Sequence, residues 1–224
     1  MRVIAIWFLG LFFGIGSIHA QENTMSISFS TLSWRGKIDG IYYYDQGKRI
    51  NVEANPYSSS SGYSYTGPSV LVFYKQGTNA LGESIDVPVA SVKGLKIMKS
   101  PLLVIIPDDD KMEIIAFPDD VEDFKAGEYR FINLTSDPIA AKIGNTSLFL
   151  EPYKHETVLP DIPNEQSSLP LQVAVEEEDK GEWKLAYSVG WGHEPDNRIR
   201  VFVYRNPTGK IRVRRIEEHR SKFE

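Results

Sequence analysis

From Arg198 to Glu224 the chain carries nine basic residues (198, 200, 205, 210, 212, 214, 215, 220 and 222) and three acids (217, 218 and 224), a net of +6. Ile199, Val201 and Val203 alternate as a core-facing strand does, which sends Arg200, Phe202 and Tyr204 to the opposite face. Asn206-Pro207-Thr208-Gly209 supplies a turn into a second strand, Ile211 to Ile216. A turn that sets Arg205 opposite Gly209 pairs Val203 with Ile211 and Val201 with Val213. On the outer face this register places Arg200 beside Arg214, Phe202 beside Arg212, and Tyr204 beside Lys210. Like charges directly opposite one another cost stability unless something screens them. The expected partner is therefore an anionic glycan, an anionic lipid surface, or an acidic part of the same protein. The plain alternative is an intramolecular or solvated face whose arginine stems cover apolar surface.

Tyrosines offer a second candidate. Tyr42-Tyr43-Tyr44, Tyr57, Tyr63, Tyr65 and Tyr74 crowd the first third of the chain. Strand alternation puts Tyr42 and Tyr44 on one face and Tyr43 on the other, so one of the two faces belongs to the core. An exposed pair could serve as a platform for a sugar ring, although aromatic residues are also favoured in strands for packing alone. Asp108-Asp109-Asp110 is the best calcium candidate, able to offer two or three oxygens from one turn. It lacks the D-x-[DN]-x-[DN]-G spacing, and this run, Asp119 to Asp123 and Glu176 to Asp179 all read as solvated turns.

Catalytic signatures are missing. There is no G-x-S-x-G elbow and no H-E-x-x-H, and His155, His193 and His219 stand in polar or terminal settings. No motif asks for a cofactor, and the expectation is a non-enzyme.

The 224 residues hold 25 Lys+Arg against 30 Asp+Glu, with 42% hydrophobic and 12% aromatic residues and no cysteine. That much core material excludes a disordered chain, and the net charge of -5 argues against nucleic acid as a partner. Arg2 followed by the apolar run Val3 to Ile18 and then His19-Ala20 has the pattern of a signal peptide cleaved after Ala20. Its loss removes Arg2 and leaves 24 bases against 30 acids, a net of -6. No later segment is apolar for long enough to span a bilayer as a helix. The expected destination is the periplasm or the cell exterior. Oxidising conditions there permit disulfides, yet none can form, so packing must supply the stability.

Short segments with period-two alternation, bounded by Gly, Pro, Asn and Asp, recur along the chain. Sixteen candidate strands emerge: Ser26 to Ser33, Gly40 to Tyr44, Arg49 to Ala54, Ser69 to Lys75, Ile85 to Val92, Leu95 to Lys99, Leu102 to Ile106, Met112 to Phe117, Glu128 to Leu134, Ile139 to Ile143, Leu148 to Leu150, Thr157 to Leu159, Leu171 to Glu176, Trp183 to Ser188, Ile199 to Arg205 and Ile211 to Ile216. Three hairpins are predicted, across Pro107 to Lys111, Glu177 to Gly181 and Asn206 to Gly209. Leu102 to Ile106 has no polar residue and should be buried on both faces. Pro56 to Tyr63 and Gln76 to Ser84 read as loose surface connections, and Pro160 to Pro170 as a long crossover or a sub-boundary.

The string Phe124-x-x-Gly127-x-Tyr129-x-Phe131-x-Asn133-Leu134, with Trp183 to Tyr187 and Arg198 to Tyr204, resembles small exported bacterial all-β proteins of unknown function. The resemblance implies a fold and an address, and no activity. Tyr129 and Phe131 share one face of that strand, and Ile132 and Leu134 the other. The expected architecture is an antiparallel β-sandwich, immunoglobulin-like or jelly-roll-like, forming one domain over residues 21–224. The expected role is structural or adhesive at the cell envelope, with an envelope glycan or another envelope protein as partner. The alternative is a carbohydrate-binding module or anionic-glycan binder using Tyr42, Tyr44 and the basic hairpin.

Overall fold

The computed structural model describes residues 24–108, 111–162, 168–177 and 181–222. The expected signal peptide lies outside the described residues. Sixteen strands and no α-helix are found among them. The first eight strands are β1 (Thr24–Ser33), β2 (Ile38–Asp45), β3 (Lys48–Ala54), β4 (Tyr63–Pro68), β5 (Leu71–Thr78), β6 (Ser84–Val92), β7 (Leu102–Asp108) and β8 (Lys111–Phe117). The second eight are β9 (Tyr129–Asn133), β10 (Ile139–Ile143), β11 (Thr146–Leu150), β12 (His155–Val158), β13 (Ser168–Glu177), β14 (Glu182–Gly192), β15 (Asn197–Arg205) and β16 (Ile211–His219).

They form four four-stranded sheets, in the orders β4-β1-β7-β8, β3-β2-β5-β6, β12-β9-β15-β16 and β11-β10-β13-β14. Adding eight to every strand number of the first two sheets gives the last two. The chain is thus an eight-stranded β-sandwich repeated in tandem. The correspondence extends to detail. In both halves one pair inside an otherwise antiparallel sheet is parallel, β1 with β7 and β9 with β15. The second hairpin of each half carries a register shift at the matching place, Phe73/Tyr74 and Val173/Ala174. The amide of Trp34 donates to Ile105 O, and that of Leu134 to Val203 O, each at 2.8 Å.

Period-two alternation gives each half its own core. Phe29, Ile41, Tyr43, Phe73, Leu103 and Ile105 anchor the first. Tyr129, Phe131, Ile139, Val173, Val201 and Val203 anchor the second. A third apolar layer lies between the halves, where Leu32, Trp34, Leu102, Val104 and Phe117 meet Ile132, Phe202 and Ile216. The unbroken apolar run of β7 thus faces two cores: Leu103 and Ile105 point into the first sandwich, and Leu102 and Val104 into the seam.

Three expectations change. The single pair of sheets becomes two facing pairs, and the chain passes from one to the other at residues 118–128; of the stretch read as a crossover or sub-boundary, 168–170 already belong to β13 and 163–167 lie outside the described residues. Leu95 to Lys99 is not a strand. Gly94, at φ +76, opens one turn of 3₁₀ helix over Leu95–Ile97 that buries Leu95 beneath the first core. The stretch left open before Ser69 contains β4, whose Tyr65 is core and whose small polar residues disguise the strand.

Candidate functional site

The β15–β16 hairpin forms, but its register is displaced by two residues from the expected one. Arg205 pairs with Ile211, Val203 with Val213, Phe202 with Arg214 and Arg200 with Ile216. Asn206 explains the longer loop: its side-chain oxygen accepts from the amides of Thr208 and Lys210 and from the Thr208 hydroxyl, stabilising a five-residue connection. The displacement separates Arg200 from Arg214, and the repulsion that asked for an external partner disappears.

The face itself is internal. Arg200 is 1% exposed and Phe202 0%, because this side of β15 packs against the first sandwich. Trp34 meets Phe202 at 5.4 Å and Tyr204 at 4.8 Å, both edge-on, and the Arg214 guanidinium lies 4.4 Å over its ring while Nη1 donates to Trp34 O at 2.8 Å. Of the six hairpin residues nominated for binding, Lys210 and Arg212 are exposed.

Arg200 has internal counterions. Its Nε donates to Asp119 Oδ1 at 3.1 Å and its Nη2 to Asp119 Oδ2 at 2.5 Å, a two-pronged fork, and Nη2 also reaches Glu218 Oε2 at 3.1 Å. Arg198 Nε donates to Glu218 Oε2 at 2.6 Å, and its Nη2 lies 3.3 Å from Asp119 Oδ2. Arg130, on the adjacent β9, gives its remaining donors to Pro118 O, Asp123 O and the Thr157 hydroxyl. The Phe124 ring lies within cation–π reach of Arg130, Arg198 and Arg200, at 4.5, 5.2 and 5.6 Å. From the first sandwich, the Ser59 hydroxyl donates to Glu218 Oε1 at 2.6 Å. Burial alone would raise the Glu218 carboxyl, but the charge of Arg200, the Ser59 bond and Arg198 overcome it and hold the group at about 2. Burial likewise opposes the charge on Arg200, and Asp119 and Glu218 outweigh it. Asp119 is therefore no solvated turn residue but the centre of a buried ionic clasp.

Tyr42 and Tyr44 do share the outer face of the β3-β2-β5-β6 sheet, with Tyr43 in the core. Both hydroxyls donate to Asp86, each at 2.6 Å. The two bonds hold the Asp86 carboxyl below its usual range. Burial and then the Asp86 bond push Tyr42 up to about 12. The rings of Tyr42 and Tyr74 stack with centroids 6.0 Å apart, and Arg49 sits 3.6 Å over Tyr42, which is 0% exposed. Tyr42 is thus covered by its neighbours and offers no open platform, while Tyr44 is 38% exposed.

Asp108 is exposed at the β7–β8 turn, and Asp109 and Asp110 lie outside the described residues. Among the described residues no group of three or more His, Asp or Glu side chains is arranged to hold a metal ion. His193 stacks on Tyr129 and His155 lies edge-on to Phe117, and burial lowers both.

Sequence reading missed the acids of the clasp, because Asp119 stands in an acidic run and Glu218 beside Glu217, with nothing local to mark them as buried. It also passed over Phe149, Trp183 and Leu185, which are 49%, 43% and 57% exposed on the outer face of the last sheet. No α-helix is present among the described residues that could cross a membrane. Fold and site together define a cysteine-free, all-β protein built from two tandem β-sandwiches joined by an apolar and ionic seam. Neither the known protein-family models nor the curated proteins contain a match to the chain.

Proposed function

We propose that this is an exported, non-catalytic protein of the periplasm or cell exterior, with a structural or adhesive role at the envelope. The observation that carries this reading is the use made of the charged and aromatic groups. Trp34 against Phe202 and Ser59 on Glu218 fasten one sandwich to the other, Arg198 and Arg200 are satisfied by Asp119 and Glu218, and Tyr42, Tyr44 and Asp86 satisfy one another. Buried polar networks satisfied in this way serve to rigidify and fix geometry. Two sandwiches held in one orientation make a spacer, and an envelope glycan or envelope protein is the partner such a spacer would engage. Expression of the full chain in a Gram-negative host tests the reading by fractionation and N-terminal sequencing. The mature chain is expected to begin at Gln21 and to leave the cytoplasm. A chain that keeps residues 1–20 and stays in the cytosol would refute it.

A further inference from the structure

The tandem repeat allows the outer faces of the two sandwiches to be compared position by position. Tyr42 pairs with Tyr74 across β2 and β5, and Ala140 pairs with Ala174 across β10 and β13. Counting from the two-residue turns that follow β2 and β10, and from the shared register shifts, these pairs occupy the same two positions. In the first sandwich the pair is two stacked phenol rings. In the second it is two methyl groups, and the space above them is a trough of about 210 Å³. Leu185 lines the trough, and the side chains at and around it are altered in the matching sense. Phe149 stands where the first sandwich has Asn51, Trp183 where it has Asp86, and Leu185 where it has Pro88.

Cross-strand pairing sets Phe149, Ala140, Ala174 and Leu185 in one apolar row across the four strands, with Trp183 against Phe149 at a centroid distance of 5.9 Å. Two residues further along three of the strands, and three along β14 because of its register shift, Ser147, Lys142, Gln172 and Ser188 form a parallel polar row, all exposed. Successive rows on one face lie about 7 Å apart. An occupant must therefore be ring-sized, apolar on one flat side and rich in hydrogen-bonding groups along one edge. A phenol ring offers a single hydroxyl, whereas a pyranose presents an apolar C–H face and several hydroxyls at its edge.

We propose that this trough binds a pyranose ring of a glycan, with its C–H face on the Ala140–Ala174 floor and its hydroxyls on Lys142 and Gln172. The site supplies a chemistry for the adhesive role proposed above and rests on that reading only for its setting. Binding of purified sugars is measured independently of where the protein resides.

The test is calorimetric titration of the mature chain with cellohexaose, chitohexaose and hexagalacturonate, repeated on three variants. At least one sugar is expected to bind at millimolar concentration or tighter. Leu185→Asp, which puts a charge on the apolar wall of the trough, should weaken it at least about tenfold. Ala140→Tyr/Ala174→Tyr should abolish binding with an unchanged melting temperature, since the first sandwich carries tyrosines at both positions. Lys142→Ala should weaken binding without changing the fold. Failure of all three sugars to bind overturns the proposal, and so does binding that survives in the double-tyrosine variant. A concentration-dependent dimer that the double-tyrosine variant dissolves would also overturn it, assigning the trough to a second copy of the chain.

Discussion

Asp119→Asn keeps the shape of the side chain at the centre of the clasp and removes its charge. In the native cluster three guanidiniums, those of Arg130, Arg198 and Arg200, face two carboxylates, those of Asp119 and Glu218. The variant leaves three against one, with Asp119 and Arg200 both under a tenth exposed. Removing one member of a buried ion pair costs about 3–5 kcal/mol, because the remaining charge stays buried without compensation. That is a large share of the roughly 5–15 kcal/mol that stabilises a domain. Urea unfolding at pH 7, followed by the fluorescence of Trp34 in the seam, measures the loss. Adding Arg200→Met to Asp119→Asn restores the native charge excess of one, and at least about 2 kcal/mol should return as coupling between the two sites. An Asp119→Asn protein within about 0.5 kcal/mol of the native one, the range of ordinary surface substitutions, would refute the buried clasp.

The clasp should also be acid-labile. The folded Glu218 carboxyl lies at about 2 against an ordinary 4.5, so its contribution is complete above 4.5 and is lost as pH falls toward 2. At about 1.4 kcal/mol per unit this is worth up to about 3 kcal/mol, reduced to about 2 by solvent at the carboxylate edge, and Glu218→Gln should lose that part of the pH dependence in urea titrations from pH 5 to 2. Trp34→Ala removes the ring shared by Phe202, Tyr204 and Arg214 and should cost about 3–5 kcal/mol. It should also split calorimetric unfolding into two transitions, whereas a single unchanged transition would show that the seam does not couple the halves. Ultraviolet titration of the 11 tyrosines should be biphasic, with Tyr42, Tyr43 and Tyr129 ionising only at about 12. Asp86→Ala should move Tyr42 and Tyr44 downward in the same titration and leave Tyr43, whose hydroxyl donates to Ser64 O, in place.

Strand content was readable because period-two alternation is a local property. Ile139 to Ile143 coincides with β10, and Tyr129 and Phe131 face one core while Ile132 faces the seam, as their spacing requires. The partition of Tyr43 from Tyr42 and Tyr44 followed from the same rule. β4 was hidden because Tyr63-Ser64-Tyr65-Thr66-Gly67-Pro68 is written in turn residues, and its pairing with β1 rather than any local preference makes it a strand. The tandem repeat was hidden for a related reason. The halves share strand order, a parallel pair and matching register shifts, which are relations between distant backbones, while their side chains have diverged as far as Tyr74 and Ala174.

The sequence by itself determined an all-β chain without cysteine, which faces of its strands are apolar, and the placement of positive charge in its last hairpin. It could not determine whether a second apolar face meets water or another sheet, since alternation is the same in either case. Only the tertiary structure decided that Arg200 and Phe202 look inward. The reason is physical: the outer face of the β12-β9-β15-β16 sheet found its cover in the first sandwich, and a guanidinium at 1% exposure is tolerable there only because Asp119 and Glu218, 81 and 18 residues away in sequence, converge on it.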